Sequence, residues 1–259
     1  MKIGIVGVGV VGGACRFGFE LLGHDVSVHD LKLDTKLLDL ISCDVLCVPT
    51  PSLPDGSCDT SIVESVISEL NQANYNGIVS IKSTVVPGTT KKLNDNTNLE
   101  ICFVPEFLRE RCAVTDFTEN HDVCIIGTDS DETFEILKQC HGSFPQKFVK
   151  LTPTEAEFCK YFNNVYNAML IIFANSFYEV CDSMGVNYTN IKNAIVNRNH
   201  INGNYLECNK NFRGFGGMCL PKDTAALARL SRKTKVDFFD NLLKENSKYK
   251  TTVFEGMRK

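Results

Sequence analysis

The side chain whose neighbours best equip it for reaction is Cys219, in the run Gly214-Phe215-Gly216-Gly217-Met218-Cys219-Leu220-Pro221-Lys222-Asp223. Flexible glycines lead to a cysteine placed just before Pro221, and proline is favoured in the first turn of a helix. A thiol at a helix N-terminus has its thiolate stabilised by the helix dipole, which suits nucleophilic attack. Asp223, four residues on, would lie near the same face. Two further segments carry groups for proton transfer and oxyanion binding. In Val104-Pro105-Glu106-Phe107-Leu108-Arg109-Glu110, two carboxylates stand four apart just after a strand-like run, a pair suited to water activation. Lys160 and Asn164 stand four apart in a helical stretch, so an ammonium and an amide project from one face as donors to an alkoxide or tetrahedral oxyanion. Each segment also has a bland alternative: a buried cysteine in a glycine turn, a solvated helix face, a chance surface pair.

The fourth constellation is Gly7-Val8-Gly9-Val10-Val11-Gly12, between a first strand and a first helix. Gly7 permits the tight turn, Gly9 lets a pyrophosphate approach the backbone, and Gly12 lets helix and strand pack closely. The helix start at Val10 and Val11 offers free N–H groups to phosphate. Asp30 ends the second strand-like run, where a carboxylate accepts hydrogen bonds from the adenosine ribose and repels a 2′-phosphate; this favours NAD over NADP.

The elements that must position these groups follow from hydrophobic periodicity. Strands are expected at Lys2–Val6, Asp25–His29, Asp44–Val48, Ile78–Lys82, Glu100–Val104, Asp122–Ile126 and Gln146–Leu151. Helices are expected between them at Val11–Leu22, Ser61–Ala73 and Glu132–Cys140. This alternation predicts an α/β fold, an N-terminal Rossmann doubly wound parallel sheet. From Thr154, a candidate cap, to about Met184 runs one long helix free of Pro and Gly. Further helices are expected at Tyr188–Asn197, Pro221–Arg232 and Asp237–Asn246. The expected domains are 1–151, binding NAD, and 152–259, helical and carrying the cysteine loop.

Composition excludes several classes. With 259 residues, 43% hydrophobic and 22% charged, the chain has ordinary globular usage. A net charge of −4 without a basic cluster argues against a nucleic-acid binder. No apolar run approaches a membrane span, and no cleavable leader pattern opens the chain, so a cytoplasmic protein is expected. The 12 cysteines are scattered, without CxxC or a cluster with histidine, so reduced thiols are expected and no metal site.

Taken in order, these residues resemble the UDP-glucose/GDP-mannose 6-dehydrogenase family. The matching motifs are Gly7–Gly12, Val48-Pro49-Thr50-Pro51, Lys82-Ser83-Thr84-Val85, Pro105–Glu110, Lys160 with Asn164, and Gly214–Asp223. The resemblance implies a four-electron oxidation of a nucleotide-sugar C6 alcohol to a carboxylate with two NAD. It implies that Cys219 captures the aldehyde as a thiohemiacetal that becomes a thioester. Lys160 and Asn164 would stabilise oxyanions, and Glu106 would be the general base, with Thr84 and Asp223 in the water and proton network. Thr50, Thr84, Glu110 and Lys222 would line the NAD site. Glu106, Phe107, Leu108, Arg109 and Glu110, with Lys160, Asn164, Asn209 and Gly216, would contact a UDP- or GDP-linked sugar. The long helix would form a homodimer core.

The sequence departs from the family pattern by ending soon after Asp223, the expectation being a short form without the C-terminal UDP-binding domain; the alternatives are that a separate chain supplies it, that a dimer partner completes the site of a minimal enzyme, or that the chain is a decayed or repurposed binding protein. Arg111 replaces a glycine usual in relatives, the stretch between Asp30 and Val45 is short, and the loop before Cys219 lacks their Asn-Pro-Ser. Two other readings are a β-hydroxyacid-type dehydrogenase transferring two electrons, which needs no Cys219, and a non-catalytic NAD-binding or dimerisation module.

Overall fold

The computed structural model describes residues 1–48 and 60–250. The chain divides into two compact units, the first ending at Lys160 and the second running on from Tyr161. The helix that begins at Pro153 packs Ala156 and Cys159 of its first turns into the core of the first unit.

The first unit is built on seven strands: β1 (Lys2–Val6), β2 (Asp25–His29), β3 (Val45–Val48), β4 (Ile78–Ile81), β5 (Glu100–Phe103), β6 (Cys124–Gly127) and β7 (Phe148–Leu151). Their order is β2-β1-β3-β4-β5-β6-β7. Helices α1 (Val10–Leu21), α2 (Ser61–Gln72), α3 (Thr89–Asn96), α4 (Ala113–Thr118) and α5 (Asp131–His141) connect them. Side chains alternate across the sheet and feed two cores. Leu46, Val48, Val79, Ile81, Ile101 and Phe103 pack on one face with Val63, Ile67 and Leu70 of α2. Ile3, Ile5, Val45, Cys47, Cys102 and Ile126 pack on the other with Phe19 of α1, Phe117 of α4 and Leu137 of α5.

All strand pairs are parallel except β5 with β6, which meet antiparallel at Phe103 and Gly127. The sheet is mostly parallel, of the expected α/β Rossmann class. After β5 the chain runs through a 3₁₀ turn at Glu110–Cys112 and the short α4 before entering β6 from the opposite end. α3 and α4 were not expected from periodicity, being too short to show a sustained apolar stripe.

The long helix is α6 (Pro153–Ser183), 31 residues. Its cap is Thr152 rather than Thr154. Thr152 N and Oγ1 donate to the Glu155 carboxylate at 2.9 and 2.6 Å, with Pro153 in the first helical position. The second unit comprises the rest of α6, then α7 (Tyr188–Ile195), α8 (Leu220–Ser231) and α9 (Phe238–Asn246). Val165, Ala168 and Ile172 of α6 pack with Phe215 and with Leu242 of α9. Ala174 and Cys181 pack with Tyr188 of α7, Leu206 and Cys208. Val165, Ala168 and Ile172 share one face of α6, and Ala174 and Cys181 lie on the opposite one, so the helix is buried on two sides.

Candidate active site

The glycine loop between β1 and α1 is shaped by local sterics. Gly7 has φ 92°, a left-handed value that disfavours other residues. A Cβ on Gly12 would stand 2.0 Å from the Gly7 carbonyl oxygen, whereas one on Gly9 would meet nothing within 4 Å. The loop therefore packs tightly against its strand and is open outward at Gly9. The first hydrogen bond of α1 is donated by Gly13 N to Gly9 O at 2.8 Å, so the N–H groups of Val10, Val11 and Gly12 precede the helix ladder. Asp30 Oδ2 accepts from Val8 N at 2.8 Å and Oδ1 from Lys32 N at 2.9 Å. These backbone donors hold the Asp30 carboxyl below its usual range. A switch in strand order lies between β1 and β3, where α/β sheets bind ligands. The residues present fit a dinucleotide. Thr50 lies outside the described residues.

Glu106 follows β5 and is 4% exposed. Lys82, just past β4, extends its ammonium to Glu106 Oε1 at 2.6 Å, with both side chains almost fully buried. Lys82 Nζ also stands 3.1 Å from His141 Nε2, while His141 Nδ1 is 2.8 Å from the Leu137 carbonyl. With Nδ1–H donating to that carbonyl, Nε2 accepts from Lys82. Burial and then the Lys82 charge push the His141 pKa well below its ordinary value, so the ring is neutral. Burial is the largest single influence on Lys82 and works against its charge, but the Glu106 carboxylate and the thiols of Cys15, Cys47 and Cys124 together outweigh it, and the net shift is upward. Cys15 lies 4.0 Å from Glu106 Oε1, and burial followed by the Glu106 charge drives its pKa well up.

Around this pair the other expected residues divide. Lys160 donates its ammonium to the Glu106 carbonyl and lies 5.5 Å from the Phe107 ring centre. Thr84 is buried just beyond β4. Phe107 and Leu108 pack against opposite cores. Arg109 is committed to Asp116 through Nε at 2.9 Å and a terminal nitrogen at 2.6 Å. Burial alone would raise the Asp116 pKa; Arg109 brings it down to about 2. Glu110, half-buried, begins the 3₁₀ turn.

In the second unit, Cys219 is the residue immediately before α8, and Pro221 sits in the helix's first turn. Among the described cysteines it alone is exposed. Burial drives the others up where a shift arises, Cys47 and Cys208 to about 11 and Cys124 to about 12. Asp223 is fully buried; its N–H donates to the Cys219 carbonyl at 2.9 Å, and its Oδ2 accepts from Asn164 Nδ2 at 2.6 Å. Lys222 Nζ lies 3.4 Å from Asp223 Oδ1. One polar chain therefore links Asn164, Asp223 and the backbone of Cys219. Asn209 is exposed, closing a tight turn with Phe212, and Gly216 is half-buried in the cysteine loop. Among the described residues no group of His, Cys, Asp or Glu could hold a metal ion.

From the sequence alone Lys82 stands in a matching motif without a role, and His141 has no role either. A lysine ending the apolar run Ile78–Ile81 was the available signal for the first. His141 offered none, being brought in by the packing of α5.

Comparison with known proteins places these features in a family. Residues 31–145 match the NAD binding domain of the UDP-glucose/GDP-mannose dehydrogenase family, and residues 154–248 match its central domain. The chain is 29% identical to a UDP-glucose 6-dehydrogenase of Haloferax volcanii, over 90% of this chain and 66% of that protein. It is 26% identical to a GDP-mannose 6-dehydrogenase of Pseudomonas aeruginosa, over 98% of this chain and 70% of the relative. The chain thus spans about two thirds of the length of these curated relatives. Among solved structures it resembles a UDP-glucose dehydrogenase from Pyrobaculum islandicum, with a TM-score of 0.85 and 26% identity, covering 95% of this chain and 68% of that one. A 3-hydroxyisobutyrate dehydrogenase from Mycobacterium tuberculosis shares the fold, with a TM-score of 0.75 at 12% identity, covering 95% of this chain and 92% of that one.

Proposed function

The chain belongs to the UDP-glucose/GDP-mannose dehydrogenase family, and on that premise we propose that it oxidises the C6 alcohol of a UDP- or GDP-linked sugar to the uronate, using NAD. The observation that carries this reading is Cys219, the exposed thiol at the start of α8, joined through Asp223 to the Asn164 amide. A two-electron oxidation has no use for such a thiol; an oxidation that continues from aldehyde to acid does.

Bound NAD supplies the hydride acceptor for each of the two oxidations. The Gly7–Gly12 loop and the start of α1 hold its pyrophosphate, and Asp30 holds the ribose hydroxyls. By the resemblance of their motifs, Thr84, Glu110 and Lys222 are assigned to the same cofactor. The Cys219 thiolate adds to the aldehyde carbon and forms a thiohemiacetal. Loss of hydride from that carbon leaves a thioester, and water cleaves it to carboxylate and free thiol. Lys160 and Asn164 donate to the oxyanions, each already aimed: the first by the Glu106 carbonyl, the second by the Asp223 carboxylate. With Glu106 Oε1 held by Lys82, Oε2 takes the proton of the attacking water. The segment from Glu106 to Glu110, with Asn209 and Gly216, contacts the nucleotide sugar.

A homodimer through α6 is part of the same reading. Phe162, Tyr166, Phe173, Phe177, Val180 and Met184 form an exposed apolar stripe along the helix, Phe162 and Met184 being more than 70% exposed. Exposed apolar area on this scale marks an association surface. Assaying NADH and uronate formation across a panel of UDP- and GDP-sugars tests the function. The wild type is expected to form uronate with one of them, and Cys219→Ser to lose it. Uronate formed at the wild-type rate by Cys219→Ser overturns the role of the thiol.

A further inference from the structure

We infer that Asn246, at the end of α9, is a positioning residue for the loop that presents Cys219. This rests on the reading of Cys219 as the nucleophile. The Asn246 side-chain amide grips one backbone unit from both sides: Oδ1 accepts from Phe215 N at 2.8 Å, and Nδ2 donates to Phe215 O at 3.0 Å. An amide is the neutral side chain that can accept and donate at this spacing, copying one rung of a β-ladder.

The rung matters because of what surrounds it. Gly214 and Gly217 both have positive φ, 62° and 75°, so the backbone on each side of Phe215 takes left-handed turns that local sterics do not restrict to one geometry. Anchors from outside the loop must then choose its course. The Phe215 ring is one, buried against Val165, Ala168 and Ile172 of α6 and Leu242 of α9. Asn175 of α6 is the second: its Oδ1 accepts from Gly214 N at 3.1 Å and Arg213 Nε at 2.8 Å. The Arg213 guanidinium is in turn held between the rings of Tyr178 and Tyr249, 4.7 Å from each centre. Asn246 is the third, fixing the peptide groups of Phe215 itself. From there Gly216, Gly217 and Met218 lead directly to Cys219 at the start of α8.

Amide hydrogen exchange and steady-state kinetics of Asn246→Ala, in the full chain, test the inference together. The expected result is at least tenfold faster exchange from Phe215 through Cys219, with kcat lowered at least tenfold and the KM for NAD within twofold of wild type. A purely structural loss would move NAD binding along with kcat. Asn246→Asp keeps the acceptor for Phe215 N and loses the donor. It should be impaired at neutral pH and recover relative to wild type as acid restores a proton to its carboxyl. Should Asn246→Ala fail to fold, Asn246→Asp carries the same exchange comparison. Faster exchange that stops short of Cys219, or a loosened loop with kcat unchanged, overturns the inference. If the wild type oxidises no nucleotide sugar, the proposed function fails, and the exchange pattern alone still decides whether Asn246 holds the loop.

Discussion

The two glycine loops of this protein are held in opposite ways. The loop at Gly7–Gly12 is fixed by its own sterics and by one nearby carboxylate: Gly12 cannot carry a Cβ against the Gly7 carbonyl, and Asp30 binds Val8 N. The loop at Gly214–Gly217 takes its shape from the side chains of Asn175 and Asn246, each more than thirty residues from Phe215 or Gly214 in the chain. The charged groups behind them differ likewise. In the first unit Lys82, Glu106 and His141 are buried, with Lys82 bonded to each of the other two. In the second the Cys219 thiol is exposed. Lys82 and His141 thus serve the interior of the first unit, whereas Asn175 and Asn246 serve a loop of the second.

The largest effect that would break this contrast lies at the buried ion pair. Lys82→Met leaves the Glu106 carboxylate buried without its cation and should lower stability by about 3–5 kcal/mol, read by denaturant unfolding. A loss below about 1 kcal/mol would show that the pair does not support the core.

Next in size are two alanine substitutions in the first loop. Gly12→Ala forces a Cβ against backbone and should cost about 3 kcal/mol, at the upper end for overpacking. Gly9→Ala meets open space and should leave unfolding unchanged while weakening NAD at least tenfold by calorimetry, since its methyl stands where the pyrophosphate approaches. Equal effects of the two on stability would contradict the steric account.

The smallest effect is the acid dependence of the sealed histidine. The His141 pKa lies well below that of the unfolded chain, so between the two values the unfolded state binds more protons and stability falls as pH falls. Below about pH 6.5 stability should fall with falling pH, the slope from this ring approaching about 1.4 kcal/mol per pH unit, followed by chemical unfolding at each pH. Stability independent of pH over that interval would place His141 in contact with water.

How much of this was legible in the sequence follows the same division. The β1–α1 loop, Asp30, and the positions of Cys219 and Pro221 could be read directly, because each depends on neighbours a few residues away. The strands were legible through the alternation that fills the two cores. The antiparallel entry of β6 was not, since strand direction depends on the path of the connecting chain. Neither was the cap at Thr152, which is fixed by its bonds to the Glu155 carboxylate and by the return bond from Glu155 N to Thr152 Oγ1. The Lys82–Glu106–His141 cluster joins segments 24 and 59 residues apart, through packing that no local pattern encodes. Arg109 is the converse: a residue suited by type to an anionic substrate, whose guanidinium the fold gives to Asp116.

The most direct test of the proposed chemistry is to count NADH released per molecule of nucleotide sugar consumed. A thiol that retains the half-oxidised carbon for a second hydride loss requires two per sugar, with uronate as the product. One NADH per sugar, with aldehyde accumulating, would contradict it.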